Sequence, residues 1–397
     1  MSKVIPLFLP FDLINVFSSI TIFDLLCIVF LMYSFILRKN NIFTLNKYVV
    51  LLISVLLFMM IFIFLSGILN ESAIIENILL NILFILICIK IYAVYISVRQ
   101  ISYKVFFDYL LIGFFIVNIL SFLLVFLNIG FSSSGRFSGL FGNSNGLAAY
   151  SVLSFAYSIG YSIYRTYFVL TVLTILLSIG LIFLSVSKGA IVFSLLILCM
   201  YLFVLIKHKF LFLLSISIVL SIFLYNDMWY HILTFFLSVL SDFYPNLPLS
   251  RLQVFIDILY NFDSLSELDE GRATLNSEIF SQLSHEFRFF GYGYENSKLF
   301  TTEGLRPHNI FLSSLFELGL LPFTIIILYY IFVLSYVAKN INNSKNIVFL
   351  LLLSTILLIS VKTPFYFQKG FPWIILSLAM NYQYLKWIKH KREKENI

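Results

Sequence analysis

Long apolar runs, repeated along almost the whole chain, limit most strongly what this sequence can fold into. A membrane-spanning helix needs about 20 apolar residues at a rise of about 1.5 Å per residue. Eleven runs reach or approach that length: 20–37, 48–69, 74–98, 105–127, 147–164, 166–187, 189–206, 210–226, 309–338, 347–361 and 371–388. Apolar residues make up 61% of the chain and charged residues 11%, whereas in soluble domains roughly a quarter of residues are charged. We therefore expect an all-α polytopic membrane protein with about 11–12 transmembrane helices.

Residues 4–19 form a further apolar stretch, which is interrupted by prolines and polar residues. It contains Pro6, Pro10, Asp12 and Asn15, and it leaves no room for a turn before the first long run. We interpret it as an interfacial or re-entrant segment, and a twelfth span is the alternative. No small-residue cleavage site follows the first run, so we expect a retained span rather than a signal peptide.

The positions of the basic residues predict the orientation of the chain. The formal charge is +7, but Lys and Arg lie at the ends of the apolar runs, as in membrane flanks, and not in a nucleic-acid-binding patch. Loops on one side of the expected membrane carry fifteen of them and loops on the other side carry five, so the first side is cytoplasmic. The segment 227–308, the loop 128–146 and the break at Lys188 then face outward.

This orientation divides the chain into three parts. Residues 1–226 are N-terminal membrane helices, residues 227–308 an extracytoplasmic loop, and residues 309–397 C-terminal membrane helices with a cytoplasmic tail. Three apolar stripes with helical spacing predict short amphipathic helices in the loop: Trp229 to Phe236, Leu252 to Leu259 and Leu275 to Phe287. Such helices can lie on the membrane surface and cover the mouth of a cavity that holds a functional site. The alternative is a structural lid with no site beneath it.

Few charged residues interrupt the apolar runs. Lys90 lies about two turns from the cytoplasmic end near Arg99, and we expect it to snorkel there. Asp24, early in the first run, is expected to be a helix-end residue rather than a proton relay. Neither a disulfide nor a metal cluster is expected, because all three cysteines fall inside apolar runs: Cys27, Cys88 and Cys199.

A glycine-rich stretch in the outer loop, residues 135–146, has the composition of an anion-binding turn. Its four glycines and two asparagines, Asn143 and Asn145, allow a sharp turn whose backbone N–H groups can face an anion. Arg136 adds a planar, permanently charged group that fits phosphate. The alternative is a flexible outer loop with an interfacial arginine.

The break around Lys188 carries a second cation to the same outer side. Residues 185–190 interrupt about forty apolar residues. A charge at the bilayer centre costs about 2.5–3.5 kcal/mol on insertion scales, so Lys188 must lie at the interface or in a wet cavity. A snorkelling turn residue is the alternative.

The segment Arg306-Pro307-His308-Asn309 precedes a long apolar run. Asn309 is a good N-cap for the following helix. His308 would then sit at the positive end of the helix dipole, which keeps its imidazole neutral and competent as a general base. The same helix end attracts anions, and Arg272 and Arg306 lie on the same outer side. A structural interfacial histidine is the alternative.

These motifs follow one another in a particular order and are expected on the same side of the membrane. In both respects the sequence resembles the O-antigen ligase and polymerase superfamily, bacterial membrane glycosyltransferases that build surface polysaccharide. The resemblance covers about 135–322 and rests on five pieces: Gly135-Arg136 through Asn143-Ser144-Asn145, Ser187-Lys188-Gly189, Gly271-Arg272, Gly291-Tyr292-Gly293, and His308-Asn309 with Gly319 beyond. It implies a GT-C-like fold with about twelve spans and a large outer loop. It also implies an undecaprenyl-diphosphate-linked sugar as donor, with no metal or other cofactor. Lys188 stands where the family often has arginine.

These expectations combine into a hypothesis for the reaction. An acceptor sugar hydroxyl attacks the anomeric carbon of the lipid-linked oligosaccharide at the outer face of the bacterial cytoplasmic (inner) membrane. His308 and Arg272 are the catalytic residues. The diphosphate is bound by a larger set: Arg136, Asn143, Asn145, Lys188 and Arg306.

The expected product is O-antigen or capsular polysaccharide, made by a polymerase with a chain-length regulator as a potential partner. A ligase that moves finished polymer onto lipid A-core would use the same donor chemistry and is the first alternative. A transporter of lipid-linked sugar is the second, and it would place polar groups near the bilayer midplane.

Overall fold

The fold was obtained as a computed structural model, and it is predominantly helical. The structure describes residues 2–17, 20–36, 46–69, 74–131, 136–206, 209, 217, 228–243, 253, 256–257, 270–307, 309–341, 343–361 and 369–395. Its helices are α1 (Val4–Phe8), α2 (Ile22–Ile36), α3 (Lys47–Leu69), α4 (Ile74–Gln100), α5 (Tyr103–Phe126), α6 (Ser144–Tyr161), α7 (Phe168–Leu184), α8 (Lys188–Leu205), α9 (Met228–Phe243), α10 (Glu270–His285), α11 (Ile310–Leu318), α12 (Leu320–Lys339), α13 (Ser344–Ser360) and α14 (Gly370–Glu395). A short antiparallel ribbon pairs β1 (Asn15–Phe17) with β2 (Ile20–Thr21).

Among the described residues, five helices are long and apolar enough to cross a membrane. They occupy Val49–Ser66, Ile78–Gln100, Tyr103–Phe126, Lys188–Leu205 and Leu320–Lys339. Shorter apolar helices occupy Val4–Leu13, Ile22–Phe35, Phe168–Leu184 and Ser344–Ser360. The prediction of a helical chain is confirmed, and these helices suit a lipid bilayer.

The predicted span 309–338 is wrong as a single helix, because the chain breaks at Gly319. This residue has φ 89° and ψ 178°, a conformation essentially restricted to glycine, and it separates α11 from α12. A Cβ atom there would lie 2.2 Å from the carbonyl oxygen of Phe289. The predicted span 210–226 and the stripe from Leu252 to Leu259 lie outside the described residues.

Two of the predicted amphipathic helices are present. The stripe that begins at Trp229 lies within α9. In α10, Leu275 and Ile279 are buried and Leu283 packs against the buried core. Phe287 lies beyond the end of α10 and is half exposed, so the predicted stripe holds over its first three members.

By internal packing the chain forms two compact units, which are described separately. The first consists of residues 1–114 and 272–397, and the second of residues 115–271. The predicted division at 226/227 and 308/309 followed polarity along the chain, whereas these units follow contacts in space.

In the first unit the N-terminal segment runs along α4 and then turns back. The Ser97 hydroxyl, near the end of α4, donates to the carbonyl oxygen of Ser2 at 2.6 Å. Ten residues later Asp12 contacts Lys90, about two turns further into the same helix. The ribbon then reverses the chain, and α2 packs along α4 from that level. The described apolar helix of this segment, Val4–Leu13, is shorter than the about 20 residues that a membrane-spanning helix needs.

Lys90 does not snorkel toward Arg99, and this prediction is wrong. Its ammonium lies 2.6 Å from Oδ1 of Asp12 and 2.7 Å from Oδ1 of Asp24. All three side chains, named here the Lys90 cluster, are almost completely buried. The N-terminal segment brings Asp12 to the lysine, so the charge is neutralised inside the protein and needs no route to water.

Both carboxylates of the Lys90 cluster also hold the beginning of a helix. Oδ2 of Asp12 accepts from the backbone N–H of Phe371, in the first turn of α14, at 2.7 Å. Asp24 and Thr21 cap α2 reciprocally, since each side chain accepts a hydrogen bond from the other's backbone N–H. The positive ends of α2 and α14 therefore both face the cluster.

Measured along the helices, the Lys90 cluster lies well away from the end of α4. Lys90 is ten residues, or about 15 Å, from the end of α4. Phe371 is equally far from Asn381, whose side chain donates to the Tyr103 hydroxyl at 2.9 Å, beside that same end. About 15 Å is half of a hydrocarbon core about 30 Å thick.

A polar network closes this end of the first unit. Asn46, just before α3, donates to Asn381 at 2.9 Å, and Asn381 contacts Tyr103 at the start of α5. Lys345, at the start of α13, lies 5.0 Å over the ring of Tyr382. The starts of α3, α5 and α13 therefore share one end, as expected if the basic loops that precede them share one membrane face.

In the second unit, small polar side chains join α5, α6 and α7. Nδ2 of Asn118 donates to the hydroxyls of Ser154 and Ser178, both at 3.1 Å, and these hydroxyls lie 2.8 Å apart. All three residues are fully buried. Small residues with interhelical hydrogen bonds allow apolar helices to pack closely where burial from water gives no driving force.

Candidate functional site

The structure distributes the predicted site residues between the two units. Arg136, Asn143, Asn145 and Lys188 belong to the second unit, and Arg272, Arg306, His308 and Asn309 belong to the first. The backbone of Arg272 lies in the first turn of α10, but its side chain and the whole of His308 lie outside the described residues.

Arg136 joins two helix ends in the second unit. Its Nε and Nη2 donate to the carbonyl oxygen of Ser185 at 3.1 and 3.0 Å, and Nη2 also contacts Oδ1 of Asn145 at 3.3 Å. Ser185 directly follows α7, where carbonyl groups lack partners within the helix. Asn145 lies in the first turn of α6. Arg136 therefore ties the start of α6 to the α7–α8 connection, an arrangement named here the Arg136 bridge.

The start of one helix lies at the Arg136 bridge, and a second helix starts close to it along the chain. Asn143 caps α6, since its extended backbone precedes the helix and its Oδ1 accepts from the N–H of Gly146 at 2.6 Å. The second helix, α8, begins at Lys188, only three residues beyond Ser185. Helix N-termini carry partial positive charge, and Arg136 and Lys188 add two full charges. The bridge is therefore an electropositive corner suited to an anion.

Glycines shape the chain that leads to the bridge. Gly139 and Gly142 have φ of 53° and 70°, where side chains with a Cβ atom are disfavoured. The backbone N–H of Ser138 donates to the carbonyl oxygen of Gly130 at 2.7 Å, and Phe131 pairs with Phe137. The stretch is thus a tight turn at these positions, as the glycine pattern predicted, while Gly135 lies outside the described residues.

In the first unit, the Gly291-Tyr292-Gly293 segment caps the end of α11. The N–H groups of Tyr292 and Gly293 donate to the carbonyl oxygens of Phe316 and Glu317 at 2.8 and 3.0 Å. A Cβ atom on Gly291 would lie 2.5 Å from the carbonyl oxygen of Glu317. Backbone passes backbone too closely here for any side chain, which explains why glycine stands at 291 and again at 319.

Aromatic stacking fixes this segment against α11. The rings of Tyr292 and Phe316 lie 4.3 Å apart and nearly parallel, and Phe300 meets both edge-on. Ile279 of α10 and Leu312 of α11 complete the buried cluster. The glycine–tyrosine segment, α10 and α11 therefore form one packed body, which the sequence only suggested by their order.

Asn309 caps the start of α11. Its Oδ1 accepts from the backbone N–H groups of Phe311 at 2.9 Å and Leu312 at 3.2 Å. The Ser313 hydroxyl donates to the carbonyl oxygen of Pro307 at 3.2 Å, which holds the chain just before the helix. The residues on both sides of position 308 are thus fixed at the positive end of α11.

Arg306 is paired with a carboxylate that the sequence reading did not single out. Its Nε donates to Oε1 of Glu317 at 3.0 Å and its Nη2 to Oε2, so the pair is bidentate. Arg306 is 7% exposed and Glu317 1%. Ser297 donates a further hydrogen bond to Glu317. An acidic residue inside an apolar run needs a partner when it is buried, and that signal would have found Glu317.

Tyr294 covers the other side of the Arg306 guanidinium. The charged group lies 4.8 Å from the ring centre, and Nη1 lies 3.4 Å from the hydroxyl. Burial raises the pKa of the Tyr294 hydroxyl, so this residue is a neutral hydrogen-bonding group near pH 7. Arg306 was predicted to bind diphosphate, and Glu317 is a competing partner that already neutralises its charge.

No protein-family model matches the chain, and no curated protein matches it at a significant level. The resemblance to O-antigen ligases and polymerases therefore stays a prediction, and the function must be inferred from the geometry of these clusters.

Proposed function

We propose that this protein is a polymerase of bacterial surface polysaccharide, which joins undecaprenyl-diphosphate-linked oligosaccharides at the outer face of the cytoplasmic membrane. The apolar helices support a membrane-bound enzyme that meets a lipid-linked donor in the bilayer. The Arg136 bridge is the observation that carries the proposal. Through it Arg136 joins the start of α6 to the α7–α8 connection, three residues before Lys188 begins α8, and a guanidinium beside a helix N-terminus is a fitting site for a diphosphate.

In the proposed reaction a hydroxyl of the acceptor sugar attacks the anomeric carbon of the donor. The bond from that carbon to the diphosphate oxygen breaks, and His308 takes the hydroxyl proton. The products are a longer lipid-linked glycan and free undecaprenyl diphosphate. Charge builds up on the leaving diphosphate, so fixed cations such as Arg136, Lys188 and Arg272 stabilise the transition state.

Arg306 has a different place in this scheme. Its bidentate pair with Glu317 is buried and electrically neutral. To bind a diphosphate, the guanidinium would have to leave a buried carboxylate without a partner, which is strongly unfavourable. We therefore assign the departing charge to the Arg136 bridge and give Arg306 a structural part within the first unit.

The first prediction concerns the Arg136 bridge. Arg136→Gln should lower the rate on the order of 10²–10³, the usual effect of losing one transition-state donor. Protein in lipid nanodiscs is supplied with undecaprenyl-diphosphate-linked oligosaccharide extracted from the source bacterium. Release of undecaprenyl diphosphate and a glycan ladder on gels are then measured. The matched control is Arg165→Gln, an exposed arginine at the opposite end of α6, which should leave the rate unchanged. Equal rates for both variants would rule out the assigned role of Arg136.

The same assay separates a polymerase from a ligase. With lipid-linked repeat units alone, a polymerase makes a ladder, whereas a ligase needs added lipid A-core before any glycan is transferred. Deleting a polymerase gene leaves single-repeat glycan on the cell surface, and deleting a ligase gene leaves bare lipid A-core.

A transporter of lipid-linked sugar is the second candidate, and the Lys90 cluster favours it. Charged groups halfway along apolar helices, faced by the positive ends of α2 and α14, are typical of transport sites. Proteoliposomes loaded with labelled lipid-linked oligosaccharide decide between the two candidates. A transporter changes the accessibility of the sugar without changing its mass, whereas a polymerase changes its mass.

A further inference from the structure

A small pocket opens beside the Arg306–Glu317 pair in the first unit. Its apolar walls come from four helices and include Met59 of α3, Phe84 of α4, Leu318 of α11 and Ile326 of α12. Its polar wall includes Arg306, Glu317 and Ser314. The free space inside accommodates only about one or two water molecules. A ligand would therefore enter with one small group, such as a hydroxyl or a hydroxymethyl, and not with a whole ring.

The charges on the polar wall select against an anion. The Glu317 carboxylate and the Arg306 guanidinium neutralise each other through two hydrogen bonds, and both are more than nine-tenths buried. A phosphate would have to displace Glu317 and leave it buried and unpaired. An uncharged hydroxyl faces no such penalty, because it can donate to the carboxylate or accept from the guanidinium while the pair stays intact.

Ser314 supplies a further polar group on this wall. Its side chain lines the pocket and is 8% exposed. Within the described part of the chain, no hydrogen bond uses its hydroxyl, whereas the neighbouring Ser313 donates to Pro307. A buried hydroxyl facing a cavity is satisfied by water or by a ligand group that replaces the water.

The pocket also lies beside position 308 in the chain. Arg306 and Ile310, two residues before and two residues after His308, both line it. The N-cap at Asn309 and the Ser313–Pro307 hydrogen bond fix the chain on either side. A hydroxyl group held near this pocket is therefore next to the segment that carries the predicted general base.

We propose that this pocket is the subsite for the acceptor, which binds a hydroxyl or hydroxymethyl group of an uncharged sugar through Ser314, Glu317 and Arg306. This rests on the proposed function and refines it, because the diphosphate and the acceptor sugar then occupy different clusters. Ser314 is a specificity-determining residue in this assignment, and Glu317 is a positioning residue that holds Arg306.

Direct binding of simple probes tests the assignment without any transfer reaction. The purified full chain in nanodiscs is tested with two kinds of probe. Binding of a panel of methyl glycosides of neutral hexoses is measured by saturation-transfer NMR. Binding of inorganic pyrophosphate is measured by calorimetry. In Ser314→Val, which removes the hydroxyl and fills the pocket, glycoside affinity should fall about tenfold, as expected for one lost buried hydrogen bond. Pyrophosphate binding should be unchanged. Ser284→Val, on the exposed face of α10, is the matched control and should match the wild type for both probes.

Ser314→Ala removes the hydroxyl without adding bulk, so it keeps the test valid if the valine variant folds poorly. The assignment is overturned if no glycoside binds the wild type, if both Ser314 variants bind glycosides like the wild type, or if they lose pyrophosphate instead. Failure of the subsite and failure of the proposed function are distinguishable. If Arg136→Gln abolishes polymer formation while the Ser314 variants bind glycosides like the wild type, only the assignment of the acceptor subsite is wrong. If glycosides bind as expected but no transfer occurs, only the polymerase assignment falls.

Discussion

Replacing Lys90 should lower the free energy of unfolding of the first unit more than replacing an exposed residue does. The contacts of Lys90 give the size of the effect. Lys90→Met keeps the length and packing of the side chain but removes the ammonium that contacts both Asp12 and Asp24. Both carboxylates are buried, at 0% and 2% exposure. Removing one partner of a buried ion pair lowers the free energy of unfolding by about 3–5 kcal/mol.

The consequence of this loss would be structural, because each carboxylate has a second contact. Asp12 holds the first turn of α14 through Phe371, and Asp24 caps α2. Without the ammonium between them, two carboxylates no more than about 5.3 Å apart, by the two contacts to Lys90, would repel each other and loosen both helix starts. The N-terminal segment should therefore become sensitive to protease in the Lys90→Met variant.

Thermal unfolding followed by size-exclusion chromatography measures the effect, with Lys104→Met, an exposed lysine at the start of α5, as the control. A triple variant, Lys90→Met with Asp12→Asn and Asp24→Asn, removes all three charges and keeps the oxygen acceptors for the helix caps. It should recover most of the lost stability, since neutral replacement of a buried ion cluster is often harmless. The reasoning is refuted if Lys90→Met melts like Lys104→Met, or if the triple variant is no more stable than the single one.

Two smaller predictions concern the chain around α11. Gly319→Ala should destabilise the protein by about 3 kcal/mol or more, because φ is +89° and the new Cβ would strike the backbone of Phe289. Gly304→Ala should lower the free energy of unfolding by only about 1 kcal/mol, because φ is also positive but no atom lies within 4 Å of the new Cβ. The melting temperature should therefore fall further in Gly319→Ala than in Gly304→Ala. Asn309→Ala removes the cap of α11 and should lower the free energy of unfolding by about 1 kcal/mol. Amide hydrogen exchange should then rise first in the opening turn of α11, and uniform exchange along the helix would contradict the cap assignment.

The helices could be predicted from the sequence because burial in lipid demands long apolar runs, and their ends follow residue type. Asn143 and Asn309 were recognisable as caps because short polar side chains at helix starts satisfy free N–H groups. The break at Gly319 was missed because apolar residues continue on both sides of it. The reason for that break lies in the segment around Gly291, almost thirty residues earlier.

The partners of buried charges could not be predicted, because they come from distant parts of the chain. Asp12 reaches Lys90 only because the N-terminal segment turns back, and hydropathy alone does not indicate a turn inside an apolar stretch. The spacing of Arg306 and Glu317 likewise gives no sign that the chain folds back between them. A charged residue inside an apolar run predicts that a partner exists, and the fold decides which residue it is.

The partner that each cation contacts indicates whether that cation binds a ligand or stabilises the fold. Lys90 and Arg306 contact buried carboxylates, so their charges are neutralised and their removal should be seen first as a loss of stability. Arg136 contacts a carbonyl oxygen of Ser185 and an amide oxygen of Asn145, which are neutral groups. These two contacts orient the guanidinium, and the N-terminus of α6 adds positive potential beside it. Substitutions at Arg136 should therefore reduce anion binding and turnover more than folding, and the reverse should hold at Lys90 and Arg306.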